Sequence, residues 1–231
     1  MPLTPSAQFL CMGGIFLLGA AALAIGLTGG VSMPGVPVAV GGFALAILLA
    51  LRALRGYPHG SIGRCNVVTM GRLALVSGLV AALVSPGVGP WPIFGTAVVA
   101  LALDGLDGWL ARRDQLVSGF GAKFDMEVDA LLALVLAVHA FSAGHVGPFI
   151  LLLGVPRYLF WAAQLIWPWL SGDLPERFSR KVICVLQIGV LIAVLVPVLE
   201  RPVTDVMAAL AAGALLWSFG MDIRWLRQVR P

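Results

Sequence analysis

Long runs of apolar residues, each near the length of a bilayer crossing, constrain this chain more than any other feature. A spanning helix needs about 20 largely apolar residues. Eight stretches qualify, over residues 7–27, 31–51, 66–84, 91–110, 121–141, 146–170, 182–199 and 203–225. Of the 231 residues, 60% are hydrophobic and only 11% charged, against about 25% charged in ordinary soluble domains. A soluble fold of this size cannot hide so much apolar surface, so the surplus faces lipid. The expectation is an all-α, polytopic membrane helix bundle of about eight transmembrane helices, with membrane lipids as partners. Glycine and proline pairs punctuate the stretches. Pro156 and Pro168 interrupt the sixth, where a kink is expected.

The basic residues set an orientation. Arg52, Arg55, Arg64, Arg112, Arg113, Arg177, Arg180 and Lys181, with Arg224, Arg227 and Arg230 of the tail, fall in one set of loops; Arg201 alone falls in the other. Cytoplasmic loops carry the excess of Lys and Arg. That places the basic loops and both termini in the cytoplasm of an inner, cytoplasmic membrane, as an even number of spans requires. Residues 52–64 are expected to hold a short interfacial segment. No Lys or Arg precedes the first apolar stretch, so an uncleaved first helix is expected.

Other features exclude classes of function. The net charge of +4 is scattered between apolar runs and is no nucleic-acid footprint. Cys11, Cys65 and Cys184 match neither a disulfide framework nor a zinc site. His59, His139 and His145 lack metal-ligand spacing, and read as interfacial or packing residues. Trp91, Trp167, Trp217 and Trp225 fall near stretch ends, where aromatic belts are expected. Tyr158 and Trp161 read as lipid-facing or core residues before they read as a cage for a quaternary ammonium.

Charge inside apolar stretches is costly and marks candidate sites. Six of the eleven acidic residues lie in the 26-residue window from Asp104 to Asp129. Asp104, Asp107, Gly108 and Ala111 share one helical face, and Gly121, Asp125 and Asp129 share a face of the next helix. A short turn makes these helices antiparallel neighbours, so four carboxylates converge near the cytoplasmic interface. Asp114 and Glu127 point elsewhere by helical phase. Like charges so close raise one another's pKa. Hard divalent cations, Mg²⁺ or Mn²⁺, resolve that conflict. Two ions about 3.5–4 Å apart would polarise a diphosphate. The small residues leave room for a flat ligand, and Arg112 lies just beyond for a phosphate contact.

The segment reads Asp104-Gly-Leu-Asp107-Gly108-Trp-Leu-Ala111-Arg112, then Gly121, Asp125 and Asp129, with eight, three and three residues between. At each of these eight positions it resembles the signature of the CDP-alcohol phosphotransferase family. The resemblance implies a six-helix core running from about residue 66 to the C-terminus. It implies transfer of a phosphatidyl-type group from a CDP-linked lipid, chiefly CDP-diacylglycerol, to a small hydroxyl acceptor, with release of CMP. By position it implies Asp104, Asp107 and Asp125 as metal ligands. Asp129 would be the general base and would also touch the second metal. Gly108, Ala111 and Gly121 would form the floor of the cytidine site, with Arg112 near the donor phosphates. Asn66 and Thr69 open a stretch resembling the family segment that precedes the signature, and would bind the donor; a helix cap is the alternative for Asn66. Arg72 follows two turns on, and would instead balance the buried acids.

For the acceptor, Arg157, Arg180 and Lys181 stand where phosphate-using relatives place basic groups. Topology charge is the alternative for Arg180 and Lys181. Ser179-Arg180-Lys181-Val-Ile-Cys184-Val-Leu-Gln187 lacks the second Lys and the Thr of glycerophosphate-using relatives, so the acceptor stays open. The expected organisation is a two-helix extension over residues 1–57 and a catalytic six-helix domain over 58–231, with the extension a packing collar, a lipid gate or a homodimer contact. Two rival readings are a CDP-choline or CDP-ethanolamine transferase acting on diacylglycerol, and a cation- or proton-coupled transporter. A transporter's acids sit near the midplane amid inverted repeats; these acids cluster at one helix junction.

Overall fold

The computed structural model describes residues 3–229 apart from 32, 145, 173 and 176, so His145 and Arg230 lie outside the described residues. The described secondary structure is entirely helical, as the apolar runs require. In chain order it comprises α1 (Pro5–Thr28), α2 (Gly35–Ala53), α3 (Gly63–Val84), α4 (Pro90–Arg113), α5 (Gly119–Ser142), α6 (Pro156–Ile166), α7 (Phe178–Val194) and α8 (Val203–Gln228), with two short 3-10 segments. Of these, α1, α2, α3, α4 and α8 are long and apolar enough to cross a membrane. The protein is therefore an integral membrane helix bundle.

Helix ends follow local chemistry. Thr4 caps α1 by accepting the Ala7 N–H at 3.3 Å, with Pro5 in the first turn and Gly29 closing the helix at φ 81°. The sixth apolar stretch, expected as one kinked span, is divided. A 3-10 segment (Pro148–Leu153), α6 and a second 3-10 segment (Pro168–Ser171) each begin at a proline. Proline lacks an N–H and crowds the carbonyl four residues back, so each one restarts the helix instead of bending it. The seventh stretch, expected over 182–199, begins earlier and stops at Val194. Pro197 disfavours helical backbone before it and ends the run. Residues 54–62 form turns and bends between α2 and α3.

The chain falls into two compact units, Met1–Leu132 and Ala133–Pro231, with α5 running through the boundary. In the first, α3 is the central helix, packed against α1, α2 and α4. Its most apolar window is 61% buried, against 17% for α1 and α2. The outer helices instead present residues such as Leu18 and Leu45, 72% and 58% exposed, as hydrocarbon contact requires. Small residues let backbones approach: Ala24, Ala39 and Ala81 meet in one tight patch. Gly35 donates its N–H to Ser85 Oγ at 3.1 Å. In the second unit, α7 packs against α8, which also meets both 3-10 segments. Gln187 donates to the Leu153 carbonyl, and Asp205 Oδ1 accepts the Gly147 N–H at 3.0 Å.

A methyl group at Gly35 would lie 2.2 Å from the Ala81 carbonyl oxygen, which belongs to helix backbone and cannot yield. Gly35→Ala is expected to destabilise the protein by about 1–3 kcal/mol, read as a lower unfolding temperature in detergent. Gly41→Ala, with open space at that position, should leave that temperature unchanged.

Candidate active site

The i, i+3 spacing on α4 and the i, i+4 spacing on α5 turn Asp104, Asp107, Asp125 and Asp129 toward one point. Arg72 of α3 occupies it, with a fully buried side chain. Arg72 Nη1 lies 3.0 Å from Asp104 Oδ1 and 3.1 Å from Asp107 Oδ2, and also contacts Asp125 Oδ1. Nη2 contacts Asp129 Oδ1. Nε donates to the Ala100 carbonyl at 3.1 Å, fixing the plane of the fork. Of the two roles the sequence left open at this end of α3, Arg72 takes that of a counter-charge. Thr69 donates its hydroxyl toward Asp107 Oδ2 at 2.9 Å and toward the Cys65 carbonyl at 3.1 Å. It thus holds a carboxylate in place.

One guanidinium cannot neutralise four carboxylates. Carboxylate oxygens of Asp104, Asp107 and Asp125 come within 4.8 Å of one another, a grouping able to hold a cation. Asp107 is 3% exposed, and its Oδ1 has no hydrogen-bond partner among the described residues. A buried carboxylate oxygen left over from a hydrogen-bonded set is the donor a hard divalent ion needs. The residues present therefore fit a divalent metal. Asp129 stands beside this trio through its contact with Arg72. Glu127 is exposed, on another face of α5.

The signature glycines border this cluster. Ser118 precedes α5 and accepts the Gly121 N–H at 3.0 Å, capping the helix. A Cβ at Gly121 would lie 3.1 Å from Ser118 Oγ and 3.2 Å from Asn66 Oδ1, so a larger residue there would require these side chains to give way by a few tenths of an ångström. Asn66 is not a helix cap. The cap position of α3 is Ile62, and Asn66 Nδ2 donates to the Ile62 carbonyl at 2.6 Å and to Tyr57 Oη at 3.3 Å. On α4, the Arg112 guanidinium folds over Gly108, with Nη1 3.5 Å from where a Cβ would sit. Arg112 is exposed and Ala111 half-buried.

The basic residues expected at an acceptor site all belong to the second unit. Arg157 is the second residue of α6 and half-buried, and Lys181 is exposed on α7. Arg180 donates to Asp222 Oδ1 at 2.8 Å, and Arg177 lies 3.6 Å from the same oxygen. Asp222, on α8 and 7% exposed, was missed in the sequence, although an acid within an apolar stretch is a signal of its own. Tyr57 and Ser118 were missed too. Ser118 matters through a local cap that its place just before α5 could have signalled, whereas Tyr57 carries no motif and matters through contacts with Asn66 and Phe120.

Removing Arg72 would leave the acids facing one another without compensation. Breaking such a buried set by deleting one partner costs about 3–5 kcal/mol. Arg72→Met should therefore unfold at a lower temperature than wild type in EDTA, and should gain more than wild type when Mg²⁺ or Mn²⁺ is added. Equal unfolding temperatures in EDTA would show that Arg72 does not supply the compensating charge.

Comparison with protein families matches residues 64–219, more than half of the chain and including every aspartate of the cluster, to the CDP-alcohol phosphatidyltransferase family. Comparison with curated proteins and with solved structures gives no significant match. The family is a phosphotransferase family, and its chemistry is transfer of a phosphatidyl group from a CDP-alcohol with the aid of divalent metals. The match and the carboxylate cluster agree, and the chain belongs to the CDP-alcohol phosphatidyltransferase family.

Proposed function

We propose that this enzyme transfers the phosphatidyl group of CDP-diacylglycerol to the hydroxyl of a small acceptor and releases CMP. The observation that carries this reading is the convergence of Asp104, Asp107, Asp125 and Asp129 on one buried arginine, inside a family match that supplies the donor class. Asp104, Asp107 and Asp125 would hold the metal, one ion or two of Mg²⁺ or Mn²⁺. When bound, such an ion supplies charge neutralisation for the diphosphate and its departing oxygen. The acceptor oxygen forms a bond to the β-phosphorus. The bond from that phosphorus to the bridging oxygen breaks, and CMP carries away the electron pair. Asp129 takes the proton from the acceptor hydroxyl. Gly108, Ala111 and Gly121 form the floor beneath the cytidine, Asn66 binds it, Thr69 steadies Asp107, and Arg112 steers the donor phosphates. Most of the acceleration then comes from positioning and electrostatics.

The acceptor reading favours a phosphorylated alcohol. Arg177 and Arg180 share one carboxylate, which leaves positive charge in excess where α7 begins. Arg157 and Lys181 add to it. The basic loops, the acids and both termini face the cytoplasm in this reading, by the bias of Lys and Arg. Residues 58–231 are the catalytic domain and 1–57 an extension to it.

The decisive experiment is purified protein with CDP-diacylglycerol, Mn²⁺ or Mg²⁺ and a panel of acceptors, scored by CMP release and lipid product. CMP release with no acceptor in the panel, or none from CDP-diacylglycerol when another CDP-alcohol reacts, would overturn the proposed donor and acceptor. Asp129→Asn should lower kcat by about 10²–10⁴-fold while CDP-diacylglycerol still binds. Near-normal turnover would remove Asp129 from the role of base. Asp104→Ala and Asp125→Ala should lose both activity and the metal-induced rise in unfolding temperature. A rise equal to that of wild type would contradict their assignment as ligands.

A further inference from the structure

The family match begins at residue 64, yet residues before it reach Asn66 and the rings of Phe120 and Phe124 beside Gly121. We propose that α1 and the 54–62 turn form a built-in brace for the nucleotide end of the donor site, with Gln8 and Tyr57 as its positioning residues. The proposal rests on the reading of Asn66 and Gly121 as that nucleotide end.

Two connected paths support it. Gln8 Oε1 accepts the Ile62 N–H at 3.1 Å, while Gln8 Nε2 donates to the Leu3 carbonyl at 2.8 Å, which orients the amide. The first turn of a helix leaves backbone N–H groups without intrahelical partners; here a side chain from another helix satisfies the one at the cap of α3. The Ile62 carbonyl then accepts from Asn66 at 2.6 Å and from the Tyr57 hydroxyl at 3.3 Å, and that hydroxyl accepts from Asn66 in turn. Both Asn66 donor hydrogens are therefore spent on the brace. Its Oδ1 remains toward Gly121 as an acceptor, suited to the exocyclic amine of a cytosine.

The second path is aromatic. Phe120 and Phe124 flank Gly121 on α5. Phe9, fully buried, meets them edge-on at ring separations of 5.7 and 5.9 Å. The Tyr57 ring meets Phe120 at 5.8 Å. Farther along, α1 lies against glycines of α3. A Cβ at Gly71 would sit 3.2 Å from Phe16, and one at Gly78 2.5 Å from Leu23. The helix is thus packed along α3 well beyond the turn that carries Gln8. A detached collar or a lipid gate would not need its polar end aimed at the first turn of α3.

The test uses full-length protein in nanodiscs and measures the Kd for CMP with Mn²⁺, the KM for CDP-diacylglycerol, kcat and the unfolding temperature. Gln8→Leu and Tyr57→Phe should each raise the CMP Kd and the donor KM about five- to tenfold, the worth of one positioning hydrogen bond, with kcat within about twofold. The double variant should fall short of the product of the two, because both act through Asn66. Leu23→Ala, which loosens α1 far from Gln8, should lower the unfolding temperature without moving the CMP Kd. Unchanged CMP affinity in Gln8→Leu and Tyr57→Phe would overturn the brace, as would an equal loss in Leu23→Ala. Wild-type protein that binds no CMP would instead overturn the nucleotide reading itself, and the two failures are thereby distinct.

Discussion

Four carboxylates brought to one point repel one another, and the guanidinium of Arg72 is what makes their meeting tolerable before any cation enters. The rest of the first unit can be understood from that constraint. A buried arginine is itself costly, so every donor on its fork must be used. Nη1 and Nη2 are spent on the aspartates and Nε on a main-chain carbonyl of α4. The three helices that supply these groups must hold a common geometry. α3 holds it because it is the best-buried helix of the unit. The arginine draws the acids together, and Asp107 Oδ1 is left without a hydrogen-bond partner among the described residues. Such an arrangement leaves carboxylate charge in excess of the one guanidinium, at a grouping able to hold a cation.

The glycines of the signature do two separate jobs. Gly108 leaves space that the Arg112 guanidinium covers, while Gly121 allows α5 to press against Asn66. The first leaves a gap beneath an exposed arginine. The second is about helix approach, and a side chain there would push Asn66 away.

Much of this was legible in the chain. Apolar run length marked the helices, since each apolar stretch long enough to cross a bilayer must satisfy its own backbone hydrogen bonds in lipid. Helical periodicity placed the aspartates on facing sides of two neighbouring helices. The sixth stretch was misjudged because hydropathy counts side chains, whereas Pro148, Pro156 and Pro168 act on the backbone. Asp222 passed unnoticed because its partners, Arg177 and Arg180, lie about 40 residues away on another helix.

What the sequence by itself determined is the membrane class, the helical periods and the set of acids, because these depend on residues one to four positions apart and on the length of apolar runs. Only the tertiary structure decided that Arg72 sits at the centre of the acids, that Thr69 serves Asp107, that Gln8 meets the Ile62 N–H and that Tyr57 meets Asn66. Most of those pairings join residues far apart in the chain, 38 positions for Thr69 to Asp107 and 57 for Arg72 to Asp129. No periodicity in the chain encodes which distant side chain will face a buried charge. That choice is made when helices pack and each desolvated polar group must find a partner.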